Sequence, residues 1–360
     1  MEGVFGDFLL KTCGILHYIR REWREVYNEK MTPDISVLAF LDKPLVEAVN
    51  SYAYERAIEL SEHEQEPVCS AALSILVRTK RESMPQKYSL ELLNALCKPD
   101  GAKVSSKHLR YCLDNGHTHL FDDLIGHAMK QSGIKKTAAM ITEQLSGDWR
   151  GRLQAAKADA ILLALEGGHY DPLVKMMGIL DRAKVPYSHE RNLIHSAVAM
   201  DFFSDVREGK IKSVEFLLDK GWSLETSDRE GNLPIHLVVS VEMTRLLIER
   251  GADIRAKGAR GNRPLYSLWL RRSKYNMSED ETPSEQEIIN IAKLMIEHGA
   301  QWKDAPTIDI MELQIQGHAL SEFLINGRRR HELGKLVEKI QVPNSEPKDQ
   351  QSSQRRRMAM

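Results

Sequence analysis

Potential metal ligands cluster at one place in the sequence, namely His108, Cys112, His117 and His119. His108 and Cys112 are four residues apart, so a helix would place both side chains on one face, as in many zinc sites. A structural zinc ion needs about four such ligands held in a tetrahedral arrangement by rigid elements. The cluster is therefore a candidate zinc site. Whether its four residues can bind one ion depends on the helices and turns in which they lie.

Motifs for covalent or phosphate chemistry are absent from the sequence. It contains no GxSxG, no Walker-type glycine loop, no HExxH and no protein-kinase motif set. Gly167 and Gly168 lack the preceding strand and the third glycine of a dinucleotide-binding loop. We therefore predict a non-catalytic protein without a cofactor. The alternative is an enzyme with its active centre in residues 1–105 and a substrate-docking arm in the rest of the chain.

Charge and hydropathy are balanced over the 360 residues. Fifty Lys and Arg against 51 Asp and Glu leave a formal net charge of -1, and 42% of the residues are hydrophobic. This composition is typical of a folded chain with no global attraction to nucleic acid or anionic membrane. The four cysteines form no CxxC pair, so we interpret them as buried free thiols and predict a cytoplasmic location. No apolar run is long enough for a transmembrane segment.

Helical periodicity dominates the pattern, and no strand-like alternation stands out. Residues 1–26 alternate apolar and charged faces at helical spacing, which predicts a helix that caps the fold. Contact of this helix with a membrane surface or a partner is the alternative. Residues 31–100 contain further stretches of helical length, separated by charged or proline-containing breaks. The polar segment 343–360 has almost no apolar residues, so we predict a disordered tail.

A unit of about 30 residues recurs in the last third of the chain. GNLPIHL at 231–237 aligns with GNRPLYSL at 261–268. The second helices of successive units end at the closing glycines Gly221, Gly251 and Gly299. Proline is favourable in the first turn of a helix because its missing N–H would be unpaired there. A glycine in the left-handed conformation ends a helix. The unit is therefore a turn, a short helix, a second turn, a longer helix and a glycine stop.

These motifs resemble those of the ankyrin repeat family. GNLPIHL is similar to the family's G-x-T-P-L-H, and LLIERGADI is similar to L-L-x-x-G-A. The resemblance is clear over about 201–304 and degenerate over about 105–200. In the degenerate part DNGHTHLFDDLI and EGGHYDPLVKMM resemble the family's inter-helix turn, and Gly209 in REGKIKSVEFLLDKG fits the same position. The resemblance implies an all-α solenoid of irregular helix–turn–helix repeats with an additional helical N-terminal region.

Domain boundaries follow from the extent of the resemblance. Two departures in spacing predict local irregularities. Gly231 and Gly251 are closer than in the family, which indicates a shortened inter-helix turn around residues 239–243, and wider spacing in the next unit predicts an inserted surface loop at about 271–287. The predicted domains are an N-terminal region of degenerate repeats or a cap at 1–104, the array at 105–304, C-terminal capping helices at 305–342 and the tail at 343–360.

The resemblance also implies structural roles for the histidines. His117 falls in the family's inter-helix turn, and Cys112 falls at a small core position of the first helix. His195 and His236 occupy the place of the motif histidine, which supports the turn between repeats by hydrogen bonding in the family. We therefore favour structural roles over a zinc site, and we predict no metal and no catalytic residue.

Partner binding is what the resemblance implies for function. In the family the turns that join repeats project as fingers and form a concave face together with the first helices. We therefore predict that the partner is another protein and that the chain acts as a scaffold, adaptor or inhibitor. Arginine and aromatic side chains are frequent anchors of interfaces. The predicted contact residues are Arg229, Glu230, Asn232, Arg260, Asn262, Arg263, Tyr266 and Trp269. For Trp269, packing against the neighbouring repeat or the inserted loop is the alternative.

Two arginine clusters lie at 328–330 and 355–357. Such runs are more typical of a solvated surface than of a nucleic-acid site, and the balanced net charge predicts no specific nucleic-acid binding. Nuclear entry through the arginine-rich tail is the alternative. The uneven repeats are similar to those of ankyrin proteins that intracellular bacteria or viruses deliver into host cells, so delivery to a host cell is a further hypothesis.

Overall fold

The chain divides into two compact units, Met1–Thr226 (unit 1) and Ser227–Met360 (unit 2). A computed structural model describes residues 40, 43–79, 86–143, 159–187, 193–198, 204–274, 284–301 and 319–341. Every regular element within these ranges is a helix, so the predicted all-α class is confirmed for the described residues. The predicted N-terminal helix at 1–26 and the tail at 343–360 lie outside them.

Unit 1 is built from ten α-helices in its described part. They are α1 (Pro44–Asn50), α2 (Tyr54–Ser61), α3 (Glu66–Arg78), α4 (Gln86–Leu96), α5 (Ser106–Asp114), α6 (Thr118–Thr142, interrupted at Gly133), α7 (Ala160–Glu166), α8 (Tyr170–Ala183), α9 (Leu193–Val198) and α10 (Ser204–Asp219). Each odd-numbered helix packs on the next odd-numbered helix, and each even-numbered helix packs on the next even-numbered one. The part of unit 1 that the structure describes is therefore a stack of five helix pairs.

Two of these pairs, α1–α2 and α3–α4, lie in the N-terminal region predicted to hold degenerate repeats or a cap. They pack on each other and on α5 in the same alternating order as the pairs that follow. Within the described residues, helix-pair stacking is therefore present from Pro44 onward, upstream of the segment in which the repeat motif is recognisable.

The first helices of unit 1 form its core. Every residue from Ala160 to Leu165 of α7 is buried, and α3 is buried at nearly every position from Val68 to Arg78. A helix that is apolar around its whole circumference is stable only when neighbours cover all of its faces. The stacking order supplies that cover, because α3, α5 and α7 each lie between the first helices of two neighbouring pairs and also contact their own second helix.

Glycine at one predicted turn position has a different role. Gly209 lies inside α10 instead of at an inter-helix turn, so this part of the degenerate-repeat alignment is wrong. A β-carbon on Gly209 would overlap the carbonyl oxygen of Gly168, which belongs to the turn of the preceding pair. Glycine is required there because the two backbones touch.

Unit 2 contains two 3₁₀ turns and four α-helices in its described part. After the 3₁₀ turn (Pro234–His236) come α11 (Val241–Glu249), a second 3₁₀ turn (Ala259–Gly261), α12 (Pro264–Lys274), α13 (Glu285–Glu297) and α14 (Ala319–Gln341). The 3₁₀ turn Pro234–His236 packs on α12, and α11 packs on α13, so they occupy the first and second places of a helix pair.

The short repeat of unit 2 loses its first helix instead of its inter-helix turn. The sequence predicts shortening around residues 239–243, but α11 already begins at Val241. Ser240 starts it by accepting a hydrogen bond from the Met243 amide at 3.3 Å. The missing residues therefore come from the first helix, which is reduced to the single 3₁₀ turn at Pro234–His236.

The predicted loop at 271–287 is shorter than expected. Helix α12 continues to Lys274, and α13 begins at Glu285 after Ser284, whose hydroxyl accepts the Glu287 amide at 3.1 Å. Long, unbranched side chains favour continuation of α12 through these positions. The prediction is therefore wrong for 271–274 and 285–287, whereas residues 275–283 lie outside the described part.

The ends of the second helices follow the predicted glycine stops. Gly221, Gly251 and Gly299 all have φ between 90° and 106°, as the left-handed helix stop requires. In the predicted capping segment 305–342, α14 packs on α13, and Leu320 and Leu324 are buried. None of the described helices is long and apolar enough to cross a membrane.

Candidate functional site

Unit 2 contains two turns of similar structure. We call residues 227–232, which precede the 3₁₀ turn Pro234–His236, finger 1, and residues 255–263, which precede α12, finger 2. In finger 1 the Asp228 amide donates to the Asn232 carbonyl at 2.8 Å, and in finger 2 the Gly258 amide donates to the Asn262 carbonyl at 2.7 Å. The same backbone closure therefore recurs in both fingers.

A carboxylate stabilises finger 1 from within. Oδ1 of Asp228 accepts hydrogen bonds from the amides of Glu230 at 2.9 Å and Asn232 at 2.8 Å. An Asp side chain that bonds to following amides in this way is a common stabiliser of turns. Its carboxylate is thus committed to the backbone, and the side chains of Arg229 and Glu230 are exposed.

Asn232 connects finger 1 to finger 2, and His236 connects the 3₁₀ turn that follows finger 1 to finger 2. Oδ1 of Asn232 accepts the amide of Ala259 at 3.1 Å. His236 is buried, receives the Leu233 amide at Nδ1 and donates from Nε2 to the Asn262 carbonyl at 3.2 Å. Burial lowers the pKa of His236, which keeps the imidazole neutral with its proton on Nε2. These bonds give His236 the supporting contact expected of it.

A related histidine contact recurs in unit 1. Nε2 of His169 donates to the Leu113 carbonyl at 2.8 Å, and Nε2 of His117 donates to the Thr79 carbonyl. Each acceptor lies at the end of the first helix of the preceding pair. The inter-helix turn of one pair therefore supplies a donor to a helix end of the previous pair, where carbonyl groups lack partners within their own helix.

Comparisons with known proteins give the following picture. No protein-family model matches the sequence, and no curated protein matches it. Among solved structures, the human ASB11 ankyrin repeat domain has a TM-score of 0.42 and 14% identity, covering 72% of this chain and 99% of that one. The ankyrin repeat domain of Bcl-3, described as a unique member of the IkappaB protein family, has a TM-score of 0.34 and 17% identity, covering 73% and 88%.

The chain has an ankyrin-like fold. Within each unit this assignment rests on the alternating stack of helix pairs, the glycine stops and the paired fingers. The all-α solenoid of helix pairs predicted from the sequence is therefore confirmed for the described residues, and in unit 1 the stacking of helix pairs includes α1 to α4.

The predicted contact residues divide by exposure into an exposed group, a partly buried group and one buried residue, Trp269. Arg229, Glu230 and Arg260 are exposed on the fingers. Asn232, Asn262, Arg263 and Tyr266 are partly buried, and the two asparagines take part in the bonds that join the fingers.

Trp269 lies in the core of unit 2 and is only 7% exposed. Its ring centroid is 5.7 Å from that of Tyr266, at an interplanar angle of 52°. Of the two alternatives for this residue, packing within the repeat describes its position. Tyr266 is partly exposed on the same helix, so Trp269 supports an aromatic side chain near the surface.

Two basic residues of finger 2 are additions to the predicted set. Arg255 and Lys257 are both exposed. Nη1 of Arg263 donates to the Arg255 carbonyl at 3.1 Å, so Arg263 and Arg255 lie together at the base of finger 2. The basic run RAKGARGNR can be seen in the sequence. The sequence comparison nevertheless selects only the positions of finger 2 that align with the predicted contact residues of finger 1.

The candidate zinc ligands of unit 1 have separate partners. Nε2 of His108 lies 2.9 Å from Ser74 Oγ, and Nε2 of His119 lies 3.1 Å from Ser89 Oγ. The Cys112 thiol donates to the His117 carbonyl at 3.1 Å, and burial raises the pKa of this thiol far above its usual range. Across the described residues, no group of three or more His, Cys, Asp or Glu side chains has an arrangement that could hold a metal ion.

Buried polar side chains of α3 are part of the repeat packing. Ser74 bonds to the Ser70 carbonyl as well as to His108, and Thr79 bonds to the Ile75 carbonyl. Arg78 donates to the Tyr111 hydroxyl, and its guanidinium lies 4.0 Å from the centre of that ring. These residues belong to the region considered for an active centre. Ser74 and Arg78 bond to residues of the next helix pair, and Thr79 bonds within its own helix end.

Proposed function

We propose that this chain is a non-catalytic protein–protein interaction module that contacts its partner through finger 1 and finger 2. The observation that carries the proposal is the pair of bonds made by Asn232 and His236, which hold finger 2 against finger 1 and against the 3₁₀ turn Pro234–His236. A surface that is ordered before binding loses less conformational freedom on association. The fingers thus combine a fixed backbone with exposed charged side chains.

The contact surface consists of the exposed residues Arg229, Glu230 and Arg260, with Tyr266 beside them. Arginine and tyrosine are frequent energetic anchors of interfaces because they combine apolar contact with hydrogen bonding. Asn232 and Asn262 hold the fingers, and Trp269 supports Tyr266 from the core. The identity of the bound protein decides whether the module acts as a scaffold, an adaptor or an inhibitor.

Affinity capture from a cell extract with cross-linking tests this proposal. The full chain is compared with Arg229→Ala and Arg260→Ala, and the matched control is Arg245→Ala, which removes an exposed arginine from α11. A partner of the fingers is lost with the first two variants and retained with the control. If every captured protein is retained by both finger variants, the fingers are not the binding surface.

A reducing compartment such as the cytoplasm is the proposed location. Cys69, Cys97 and Cys112 are buried free thiols, and burial raises the pKa of Cys97 to about 12. Buried, protonated thiols persist without disulfide partners in a reducing environment. Thiol labelling of the denatured protein isolated from its native cells tests this: complete labelling supports the location, and blocked thiols contradict it.

A further inference from the structure

The two fingers share a backbone closure but differ in charge. Finger 1 contains two acidic residues, Asp228 and Glu230, and one cation, Arg229. Finger 2 contains no acidic residue. Its four cations are Arg255, Lys257, Arg260 and Arg263. In a chain with a formal net charge of -1, finger 2 is a concentrated local exception.

The difference in charge arises from how each finger is stabilised. Finger 1 uses the Asp228 carboxylate as its internal acceptor. The position equivalent to Asp228 in finger 2 is Gly258, where a β-carbon would collide with the imidazole of His236 and approach Asn232 Oδ1 at 3.0 Å. The acceptor for finger 2 is instead the neutral amide oxygen of Asn232, which binds the Ala259 amide. Residues 255–263 therefore contain no carboxylate, and the nearest one along the chain is the single Asp253, which accepts the Arg255 amide at 2.8 Å, so the four cations of finger 2 remain in excess.

The cations of finger 2 are presented for contact. Arg255, Lys257 and Arg260 are exposed. Arg260 lies at the tip with a φ of 55°, and the Arg263 side chain is held at the base by its bond to the Arg255 carbonyl. Arginine favours carboxylates because its guanidinium can donate two parallel hydrogen bonds to one carboxylate group.

The size of the patch favours a short acidic segment over a long polyanion. The basic residues are confined to one turn of nine positions, and finger 1 beside it carries exposed Glu230. At physiological salt, surface charges act over about 8 Å, so an extended chain of phosphates would also meet the acidic residues of finger 1. A partner segment with a few carboxylates can bind finger 2 and end before finger 1.

We propose that finger 2 is the specificity element of the binding surface and that it takes a short, carboxylate-rich peptide segment of the partner protein. This inference rests on the proposed function, because it names the partner chemistry of the same fingers. The basic residues of finger 2 bind the carboxylates, and finger 1 sets one limit of the acidic segment.

Fluorescence anisotropy with the full chain tests this inference. The probe is a short labelled oligoglutamate peptide at low salt, with oligoglutamine as the uncharged comparison. The test variant combines Arg255→Gln, Lys257→Gln and Arg260→Asn, since asparagine tolerates the left-handed conformation at position 260. Its matched control makes the same change in net charge at other exposed arginines of unit 2. The control combines Arg245→Gln, Arg329→Gln and Arg330→Gln.

The expected result is selective loss of oligoglutamate binding. Each removed cation should weaken binding by about two- to fivefold, which is the usual range for an exposed ion pair, so the triple variant should bind about 10- to 100-fold more weakly than the wild type. The control should bind within about twofold of the wild type, and high salt should abolish binding. Oligoglutamine should not bind.

Other outcomes separate this inference from the proposed function. If oligoglutamate does not bind while finger-dependent capture of a protein persists, the acidic specificity is wrong and the binding module stands. If capture is also independent of the fingers, both are wrong. If duplex DNA binds more tightly than oligoglutamate and the finger 2 variant loses it, finger 2 is a nucleic-acid surface and the inference is overturned.

Discussion

In its described residues, unit 1 stacks five helix pairs whose sequences hardly show a repeat, whereas unit 2 carries the clearest motif and has a 3₁₀ turn in place of the first helix of its opening pair. The motif residues of unit 2 lie mainly in the fingers and in the glycine stops. Unit 1 depends instead on apolar helices that bury each other, and many sequences meet that requirement. The recognisable motifs therefore mark the turns of this fold. The longer stack, in unit 1, depends on apolar packing that leaves no short motif in the sequence.

Gly209→Ala is the strongest test of packing in unit 1. The added methyl group would meet the Gly168 backbone, which cannot move aside as a flexible side chain could. We expect a loss of about 1–3 kcal/mol in the free energy of unfolding, measured by urea denaturation. Gly178→Ala in α8 is the matched control, because a β-carbon there meets nothing within 4 Å, and it should gain about 0.5–1 kcal/mol. Equal effects of the two changes would show that the helix pairs do not depend on this contact.

Removing one histidine from each unit compares the two kinds of turn. His236→Ala leaves the Asn262 carbonyl and the Leu233 amide without their imidazole partner, and His117→Ala does the same to the Thr79 carbonyl. We expect each change to cost about 1–2 kcal/mol of unfolding free energy. Only His236→Ala should also reduce binding at the fingers. A reduction of that binding by His117→Ala would contradict the assignment of the site to unit 2.

The dependence of stability on pH sharpens the same comparison. Burial is the main cause that lowers the pKa of His236 in unit 2 and of His127 in unit 1 below the ordinary value of 6.5. The unfolded chain therefore binds more protons than the folded chain below that pH. The stability that each residue contributes is complete above about pH 6.5 and is lost as the pH falls towards the folded pKa.

Thermal unfolding from about pH 7.5 to pH 5.5 measures this effect. The wild type should lose stability as the pH falls. His236→Gln and His127→Gln should each flatten part of that decline. The larger effect is expected for His236, which is buried, whereas His127 is partly exposed. Identical slopes in the wild type and both variants would show that neither imidazole contributes.

Tyr52→Gly has the smallest expected effect. Tyr52 has a φ of 61° at the turn between α1 and α2, where the later turns have Gly116 and Gly168. The strain of a left-handed tyrosine, about 1–2 kcal/mol, is largely offset by the greater freedom of glycine in the unfolded chain. We expect a gain below about 1 kcal/mol, measured by thermal unfolding. Gly116→Ala should lose about 1 kcal/mol, and a loss in both variants would mean that the two turns are not equivalent.

The sequence predicts the features of the fold that depend on a single residue type. The closing glycines at 221, 251 and 299 have the expected left-handed conformation, and His236 makes the expected supporting bond. Such positions are predictable because only glycine tolerates that conformation readily, and because the repeat places Asn262 of the next finger beside His236.

Features that depend on distant neighbours are less accessible from sequence. The stacking of α1 to α4 follows from the surfaces that face each other, and no short motif encodes those surfaces. For the fingers, the sequence does not reveal that Asn232 and Asn262 hold the turns or that Trp269 is buried, because the same residue types also occur at exposed interfaces. The charge of finger 2 is readable, but its exposure is known only from the fold.

The bonds from Asn232 to Ala259 and from His236 to Asn262 also have a mechanical consequence. A force applied to finger 2 by a bound partner would be shared with finger 1 and with the single 3₁₀ turn at Pro234–His236. That turn has three residues, as does the 3₁₀ turn Ala259–Gly261 inside finger 2, so these two turns are where unit 2 should open first under tension. A protein tethered through this surface would therefore be released by opening of one short turn, well before the longer helices unravel.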